Sequence, residues 1–320
     1  MRVLITGATG FVGKHLATDI YHHSPSAEIH GTNMTVLPEP PAWLFQCHSV
    51  DFRQEEAVNT LIAEVQPDCI YHLAAQAFVP RSFEEPWETL ENNILSELNI
   101  FLACIRQQLK PRTLIISSAE IYGDVKPEEL PLDEDTLLRP ANPYSVSKVA
   151  QDLLGLQYYL SHQLPIMRAR PFNHIGPGQN ERFVAPAFST QIARIERGLQ
   201  EPVIRVGNLA AERDFTDVRD IVRAYRYIIE KGQPGQAYNI ATGQAHSIQY
   251  LLDTLLSFSD VKIEVQIDPD RLRPIDVPCV IGDSSALHQA TGWAPKFTFE
   301  QTLKDVLDDC RNRVKNSTRS

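Results

Sequence analysis

The chain has 320 residues, 43% of them apolar, which is enough for a large core in one domain or two sharing a cleft and excludes a disordered chain. A formal net charge of −10 excludes the basic stripe that follows nucleic acid phosphates, so an anionic ligand has to be held by a few local cations. The cysteines Cys47, Cys69, Cys104, Cys279 and Cys310 are odd in number and widely spread, without the paired spacing of a zinc or redox site, so a reducing compartment and no bound metal are expected.

Met1-Arg2 leads straight into Val3-Leu4-Ile5, an apolar run too short for a signal peptide, and no later stretch is long enough to span a bilayer. A cytoplasmic protein with no membrane contact is expected. Short apolar runs rich in branched residues then alternate with longer amphipathic segments, the pattern of strands and crossover helices in a parallel sheet. Arg2–Thr6 reads as a strand, Gly13–His23 as a helix, Glu28–Gly31 as a second strand, and the proline-bearing stretch Val36–Ala42 as a loop. Leu44–Asp51 reads as a third strand, Gln54–Val65 as a helix with Ala57, Leu61 and Val65 on one side, and Cys69–Ala74 as a fourth strand. Trp87–Gln108 is helical by pattern and Thr113–Ser117 a buried fifth strand. A second long helix spans Tyr144–His162, with Asn142 able to accept from its orphan amides and Pro143 suited to its first turn. Ile166–Pro171 makes a sixth strand, after which loops rich in Gly, Pro, Asn and Arg break the alternation. Asp214–Glu230 is expected to return to the first domain, and the remainder, with Asp268–Val277, to belong mostly to a smaller lobe.

Gly7-Ala8-Thr9-Gly10-Phe11-Val12-Gly13 follows a predicted strand and opens a helix. Its amides and the helix dipole would face a pyrophosphate where glycine lets the backbone approach. The expected fold is therefore α/β, a Rossmann-type doubly wound parallel sheet with a smaller C-terminal substrate lobe. Residues 1–172 and 214–242 would form the dinucleotide-binding domain, and 173–213 and 243–320 the lobe. After the second strand an acid would grip the ribose of NAD and an arginine the extra phosphate of NADP. Gly31-Thr32-Asn33-Met34-Thr35 has neither, and without the carboxylate's repulsion NADP(H) is favoured, with NAD(H) possible. Asp51 is a candidate adenine contact or a solvated loop acid. Thr32, Phe52, Leu73, Ala74 and Ala75 are further expected cofactor contacts.

Tyr144 and Lys148 are spaced i and i+4, so both lie on one helical face, where an ammonium would favour tyrosinate and lower the phenol pKa. Ser117-Ser118 ends the fifth strand, where ligands of such sheets bind. Together these residues describe hydride transfer: Tyr144 moves the proton, Ser118 polarises the reacting oxygen, and Lys148 holds the ribose and tunes Tyr144. On these residues the chain resembles the extended short-chain dehydrogenase family along almost its whole length. The resemblance places Asn93, in Asn93-Ile94-Leu95-Ser96, near the active site and the cofactor, although the family usually has glycine where Ser96 stands.

The motifs Arg170-Pro171-Phe172-Asn173-His174-Ile175-Gly176-Pro177-Gly178-Gln179, Phe183-Val184, Val206-Gly207-Asn208-Leu209, Arg213-Asp214-Phe215-Thr216-Asp217-Val218 and Arg271-Leu272-Arg273-Pro274 resemble the branch acting on GDP-linked hexoses. Within that branch they are most similar to reductases of GDP-4-dehydro-6-deoxy-D-mannose, which make GDP-D-rhamnose. The resemblance implies that Asn173 and Arg213 contact the diphosphate, Val184 lies near guanine, and Arg273 with Asp276 holds phosphate and ribose. It also implies a homodimer joined by Trp87–Gln108 and Tyr144–His162 as a four-helix bundle. Arginine forks suit phosphate oxygens; the alternative is loop arginines paired with Asp214 or Asp270.

Glu120, in Ser118-Ala119-Glu120-Ile121-Tyr122-Gly123, stands where the related GDP-mannose 4,6-dehydratases carry a catalytic base. Dehydration therefore stays open, as does another epimerase or reductase of nucleotide sugars. Dehydratases of this type carry arginines and a long insertion after the second strand, which this chain lacks. A catalytically silent dinucleotide sensor is the competing class, disfavoured because Ser118, Tyr144 and Lys148 are all present. His22-His23 reads as a polar helix end, and His174 either as a ligand contact or as part of the packing.

Overall fold

The computed structural model describes residues 1–35, 39–269 and 277–317. Strand β1 (Arg2–Thr6) sends Val3 and Ile5 into one buried cluster and Leu4 into another, which requires cover on both faces. Helix α1 (Phe11–His23) buries Leu16, Ala17 and Ile20 along one side. It starts two residues before the expected Gly13 because the extended Gly10 serves as its N-cap. Strand β2 (Glu28–Asn33) continues past Gly31, since Thr32 and Asn33 still pair with His48 and Ser49 of β3 (Gln46–Ser49). Leu44, expected to open the third strand, precedes it as a buried loop residue.

Helix α2 (Glu55–Val65), strand β4 (Cys69–His72), helix α4 (Pro86–Arg106) and strand β5 (Arg112–Ile116) lie close to expectation; the short helix α3 (Val79–Glu84) between β4 and α4 was not expected. Helix α5 (Pro143–His162) and strand β6 (Ile166–Pro171) follow, every residue of β6 being buried. The chain then builds β7 (Asn173–Ile175), α6 (Val184–Glu196), β8 (Val203–Val206) and β9 (Glu212–Asp217). It returns through α7 (Val218–Lys231) and β10 (Ala237–Ile240). It ends with β11 (Ala245–Ser247), α8 (Ile248–Ser257), β12 (Glu264–Ile267), β13 (Cys279–Val280), α9 (Ser285–Thr291) and α10 (Phe299–Ser317).

The main sheet runs β10-β6-β5-β4-β1-β2-β3, with every pair parallel. Its order reverses between β1 and β4, so a crevice opens beyond their carboxyl ends. One face packs Val3, Ile5, Leu16, Ile20 and Ile221, and the other Leu4, Leu61, Ile70, Phe101 and Ile115. Truncating any of these leucines or isoleucines to alanine would cost roughly 2–5 kcal/mol.

A separate cluster joins α6, α8 and α10 through Phe188, Ile192, Leu251, Leu255, Leu303 and Leu307. There β11, β9 and β13 form a small sheet with β7 on β9, and β12 pairs with β8. Two expectations need correction. Asp214–Glu230 does not return whole: Asp214–Asp217 is β9 of the small sheet, and Asp217 caps α7 by accepting from Arg219 N at 2.7 Å. Helix α9 and Trp293, expected in the smaller lobe, pack on the main core, with Leu287 and Trp293 buried there and Trp293 Nε1 donating to the Asp220 carbonyl at 3.0 Å. Among the described residues no helix is long and apolar enough to cross a membrane.

Candidate active site

The glycine loop is held from three sides. Gly7 takes φ +68°, and a Cβ there would come within 3.3 Å of the Ala74 backbone; a Cβ on Gly13 would stand 2.3 Å from the Gly7 carbonyl. Thr6 Oγ1 accepts from Ala74 N at 2.9 Å and hydrogen-bonds His72 Nδ1 at 2.9 Å, tying the ends of β1 and β4. Helix α1 has no side chain capping its first turn, so those amides face the crevice that Gly10, Phe11, Val12 and Gly13 border. A dinucleotide pyrophosphate fits this cradle, which a Cβ at Gly7 or Gly13 would fill.

Leu73, Ala74 and Ala75 follow β4 at half burial, with Ala74 against Gly7. Asp51 faces Arg53, which donates from Nε at 2.9 Å and from Nη2 at 2.7 Å; that hydrogen-bonded guanidinium holds the carboxyl below its usual range. Three residues expected to touch cofactor are otherwise engaged. Thr32 is buried and its Oγ1 accepts from Gly7 N at 3.2 Å, so it supports the loop from behind. Phe52 lies in the main core, where its carbonyl accepts from Asn99 Nδ2 at 2.8 Å. Asn93 is fully buried; its Oδ1 accepts from Gln76 N at 2.8 Å, and its Nδ2 donates to the Gln76 carbonyl and to Ser147 Oγ at 2.9 Å. It fixes the β4–α3 connection to α5 rather than facing a ligand.

Asn142 caps α5 as expected, its Oδ1 accepting from Ser145 N at 2.8 Å, and Tyr144 and Lys148 share the buried face below. Lys148 Nζ lies 5.9 Å from the Tyr144 ring centroid and donates to the Ile116 carbonyl at 2.8 Å. Ser118 hydrogen-bonds Tyr144, and its Oγ accepts from Glu120 N at 3.2 Å, leaving its own proton to donate. The three expected groups therefore converge. Their acidity departs from expectation: burial raises the Tyr144 phenol to about 12, against the pull of the Ser118 hydrogen bond, and the nearby ammonium does not bring it down. Burial also lowers Lys148 to about 8, with Glu97 pulling it back up. Glu120 is exposed and accepts from Asn142 Nδ2 at 3.3 Å.

Across the crevice Asn173 is exposed on β7, opposite Phe215 of β9, and Val184 opens α6 at half burial. Arg213 Nη1 donates to the Glu212 carbonyl at 2.8 Å and to the Val277 carbonyl at 2.7 Å. It is not paired with Asp214, whose carboxylate instead accepts from Thr242 N at 2.8 Å, Thr242 Oγ1 at 2.7 Å and Gly243 N at 2.9 Å. Arg273, Asp276 and the stretch from Asp270 lie outside the described residues. His174 stacks on Phe11, and burial lowers its pKa. A further contact has no local signal: Phe78 and Phe183 meet edge to face at 6.2 Å between centroids, with the Arg182 guanidinium 5.6 Å above Phe78. They stand on segments far apart in the chain, so only the fold brings them together. Among the described residues no cluster of His, Cys, Asp and Glu could hold a metal ion.

A family model for GDP-mannose 4,6 dehydratase matches residues 4–306. The chain is 38% identical over 315 residues to the GDP-6-deoxy-D-mannose reductase of Pseudomonas aeruginosa, covering 98% of each. A GDP-mannose 4,6-dehydratase of Vibrio cholerae is 27% identical, over 95% of this chain and 92% of its own. Among solved structures, RMD from Pseudomonas aeruginosa complexed with NADPH superposes with a TM-score of 0.87 at 36% identity, covering 98% of this chain and 99% of that one.

Proposed function

The chain belongs to the GDP-mannose 4,6-dehydratase family, and we propose that within it this enzyme reduces the 4-keto group of GDP-4-dehydro-6-deoxy-D-mannose to GDP-D-rhamnose. NADPH is the favoured cofactor, with NADH possible, and when bound it supplies the hydride. The cofactor is held by residues 1–172 and 218–242, with α9 and Trp293 packed on them, and the sugar nucleotide by 173–217 with β11, α8 and α10. The uncapped α1 turn and Gly7, Gly10 and Gly13 take the pyrophosphate, with Asp51 towards adenine. Asn173 and Arg213 reach the diphosphate and Val184 the base, with Arg273 and Asp276 assigned to phosphate and ribose.

The observation that carries the reading is the convergence of Tyr144, Lys148 and Ser118 at the crevice. Burial keeps the Tyr144 phenol protonated, so it can give a proton to a ketone oxygen there. Ser118 donates its free proton to the same oxygen. Lys148 spends one proton on the Ile116 carbonyl and can give another to a ribose hydroxyl. The test is consumption of NADPH on adding GDP-4-keto-6-deoxymannose; no consumption with either NADPH or NADH removes the reading.

Dehydration of GDP-mannose is the second reading, favoured by one observation: Glu120 is exposed beside Tyr144, its carboxylate tethered by Asn142. GDP-mannose with NADP yielding a 4-keto product, abolished by Glu120→Gln, would put it first. We also assign a homodimer through α4 and α5. In support, Val146, Leu153 and Leu160 are exposed at seven-residue spacing along α5, and Trp87 is 76% exposed on α4. Sedimentation as a monomer at micromolar concentration overturns it. A soluble cytoplasmic setting suits a nucleotide-sugar substrate.

A further inference from the structure

Behind the site stands a buried acid that the reaction as described does not use. Glu97 on α4 is 0% exposed, and neither carboxylate oxygen has a hydrogen-bond partner among the described residues. Helices α4 and α5 run the same way, each returning between parallel strands, and the Asn93–Ser147 bond sets their register. One turn further on, Glu97 faces Gln151 and the stretch of α5 carrying Lys148 and Asp152. Gln151 Oε1 also lacks a partner. The Gln151 amide is thus the one neutral group that eases the carboxyl, and it leaves an acceptor of its own unmatched.

The other charges nearby are already committed. Asp152 accepts from Arg168 Nη1 at 2.6 Å and from Arg170 Nε at 2.9 Å, so both β6 arginines are taken. His72, on β4, is held uncharged by burial, with Lys148 lowering it further. Lys148 is therefore the cation left to answer Glu97, and it has donors to spare beyond the Ile116 carbonyl. A lone buried carboxylate is costly, and burial raises Glu97 well above the usual carboxylate range.

We propose that Glu97 is a positioning residue for Lys148: the two are one buried pair coupled through their charges, and the carboxyl sets how much of Lys148 stands as ammonium over the reaction's pH range. The pair has two balanced forms, anion with ammonium and neutral acid with amine, differing only in where one proton rests. In the second form the acid proton also supplies the donor that Gln151 Oε1 lacks. Losing the carboxyl removes the one partner that raises Lys148, so the amine should deprotonate earlier and in a single step.

The proposal builds on the reductase reading for its importance, but its test does not need substrate. Protein carrying lysine labelled with carbon-13 at Cε is titrated by NMR without ligands, Lys148 being assigned by its loss in Lys148→Met. Glu97→Gln is expected to move the Lys148 midpoint down by about one pH unit or more. Glu97→Leu should do the same while melting higher than the parent, because an unpaired buried acid gives way to an apolar chain, and it serves if the glutamine variant fails to fold. The alkaline limb of kcat should shift with the midpoint, with KM for the sugar nucleotide unchanged. A Lys148 midpoint unmoved in both variants overturns the proposal even if reduction is robust. A shifted midpoint in a chain that reduces no GDP-sugar upholds it and removes only the substrate assignment.

Discussion

The imidazole of His174 lies parallel to the ring of Phe11, 6.2 Å between centroids and 8° between planes. Phe11 belongs to the first turn behind the glycine loop and His174 to strand β7, so one ring pair joins the cofactor cradle to the strand that carries Asn173. His15 strengthens the joint, its Nε2 lying 2.8 Å from the Pro177 carbonyl, and it meets Phe11 edge on. Phe11→Ala is expected to weaken both ligands together, by about threefold to tenfold each, the equivalent of a ring pair. NADPH quenching for the cofactor and KM for the sugar nucleotide measure this, and a change confined to one ligand would show that the stack does not couple them.

Tyr144→Phe keeps the ring and its packing but removes the transferable proton. Turnover should fall by about 10²- to 10⁴-fold while the Kd for NADPH stays within about twofold. Cofactor binding lost in parallel would mean that the phenol holds the helix and not the reaction.

Asp152, one turn beyond Lys148, is fully buried between Arg168 and Arg170. Replacing it by asparagine preserves the shape and leaves two guanidinium groups facing each other without an anion. The expected cost is roughly 3–5 kcal/mol, larger than for any surface pair in the chain. Thermal melting should drop by about 5–8 °C. A drop of only about 1–2 °C would mean that the Gly235 carbonyl, which accepts from Arg168 at 2.9 Å, and the Glu134 carbonyl, which accepts from Arg170 at 2.8 Å, satisfy the arginines unaided.

Much of this arrangement could be read from local signals. Asn142 and Pro143 announce the start of α5, so the face shared by Tyr144 and Lys148 follows from helical spacing alone. The glycine loop is announced by the strand before it. What could not be read depends on tertiary burial. Helix α3 has only six residues, with Pro80 near its start, and gives no periodicity to detect. Asp51 and Phe52 are adjacent, yet one meets Arg53 and the other the core; alternation along a chain does not say which side faces the crevice. Asn93 was expected beside the cofactor, but which way a helix turns its buried amide is decided by the Gln76 backbone, a loop away. The acidity of Tyr144 went astray for the same reason, since spacing reveals the ammonium nearby and not the desolvation that outweighs it.

Burial of imidazoles fixes the response to acid. His72 is lowered to about 3 by burial, with Lys148 adding to it, and His30, His48 and His174 are lowered from 6.5, burial being the first cause in each. His30 and His48 also face each other at 3.1 Å, so protonating both is doubly unfavourable. Below the unfolded value of 6.5 the unfolded chain takes up protons that the folded one refuses, so stability is complete above that pH and falls as the solution is acidified. For His72 alone the loss runs at roughly 1.4 kcal/mol per pH unit until its folded value is reached. Glu97 and Asp214, raised by burial, act in the opposite sense: each takes up its proton in the folded chain before the unfolded carboxyl does, so between the raised value and the ordinary carboxylate range they offset part of the loss from the four imidazoles. Melting curves taken from about pH 8 down to about pH 5 should therefore decline below neutrality. His72→Asn, which keeps a side-chain partner for Thr6, should flatten that decline. An unchanged slope in the variant would shift the acid sensitivity to the His30–His48 pair, and a flat curve in the parent would contradict the burial of all four rings.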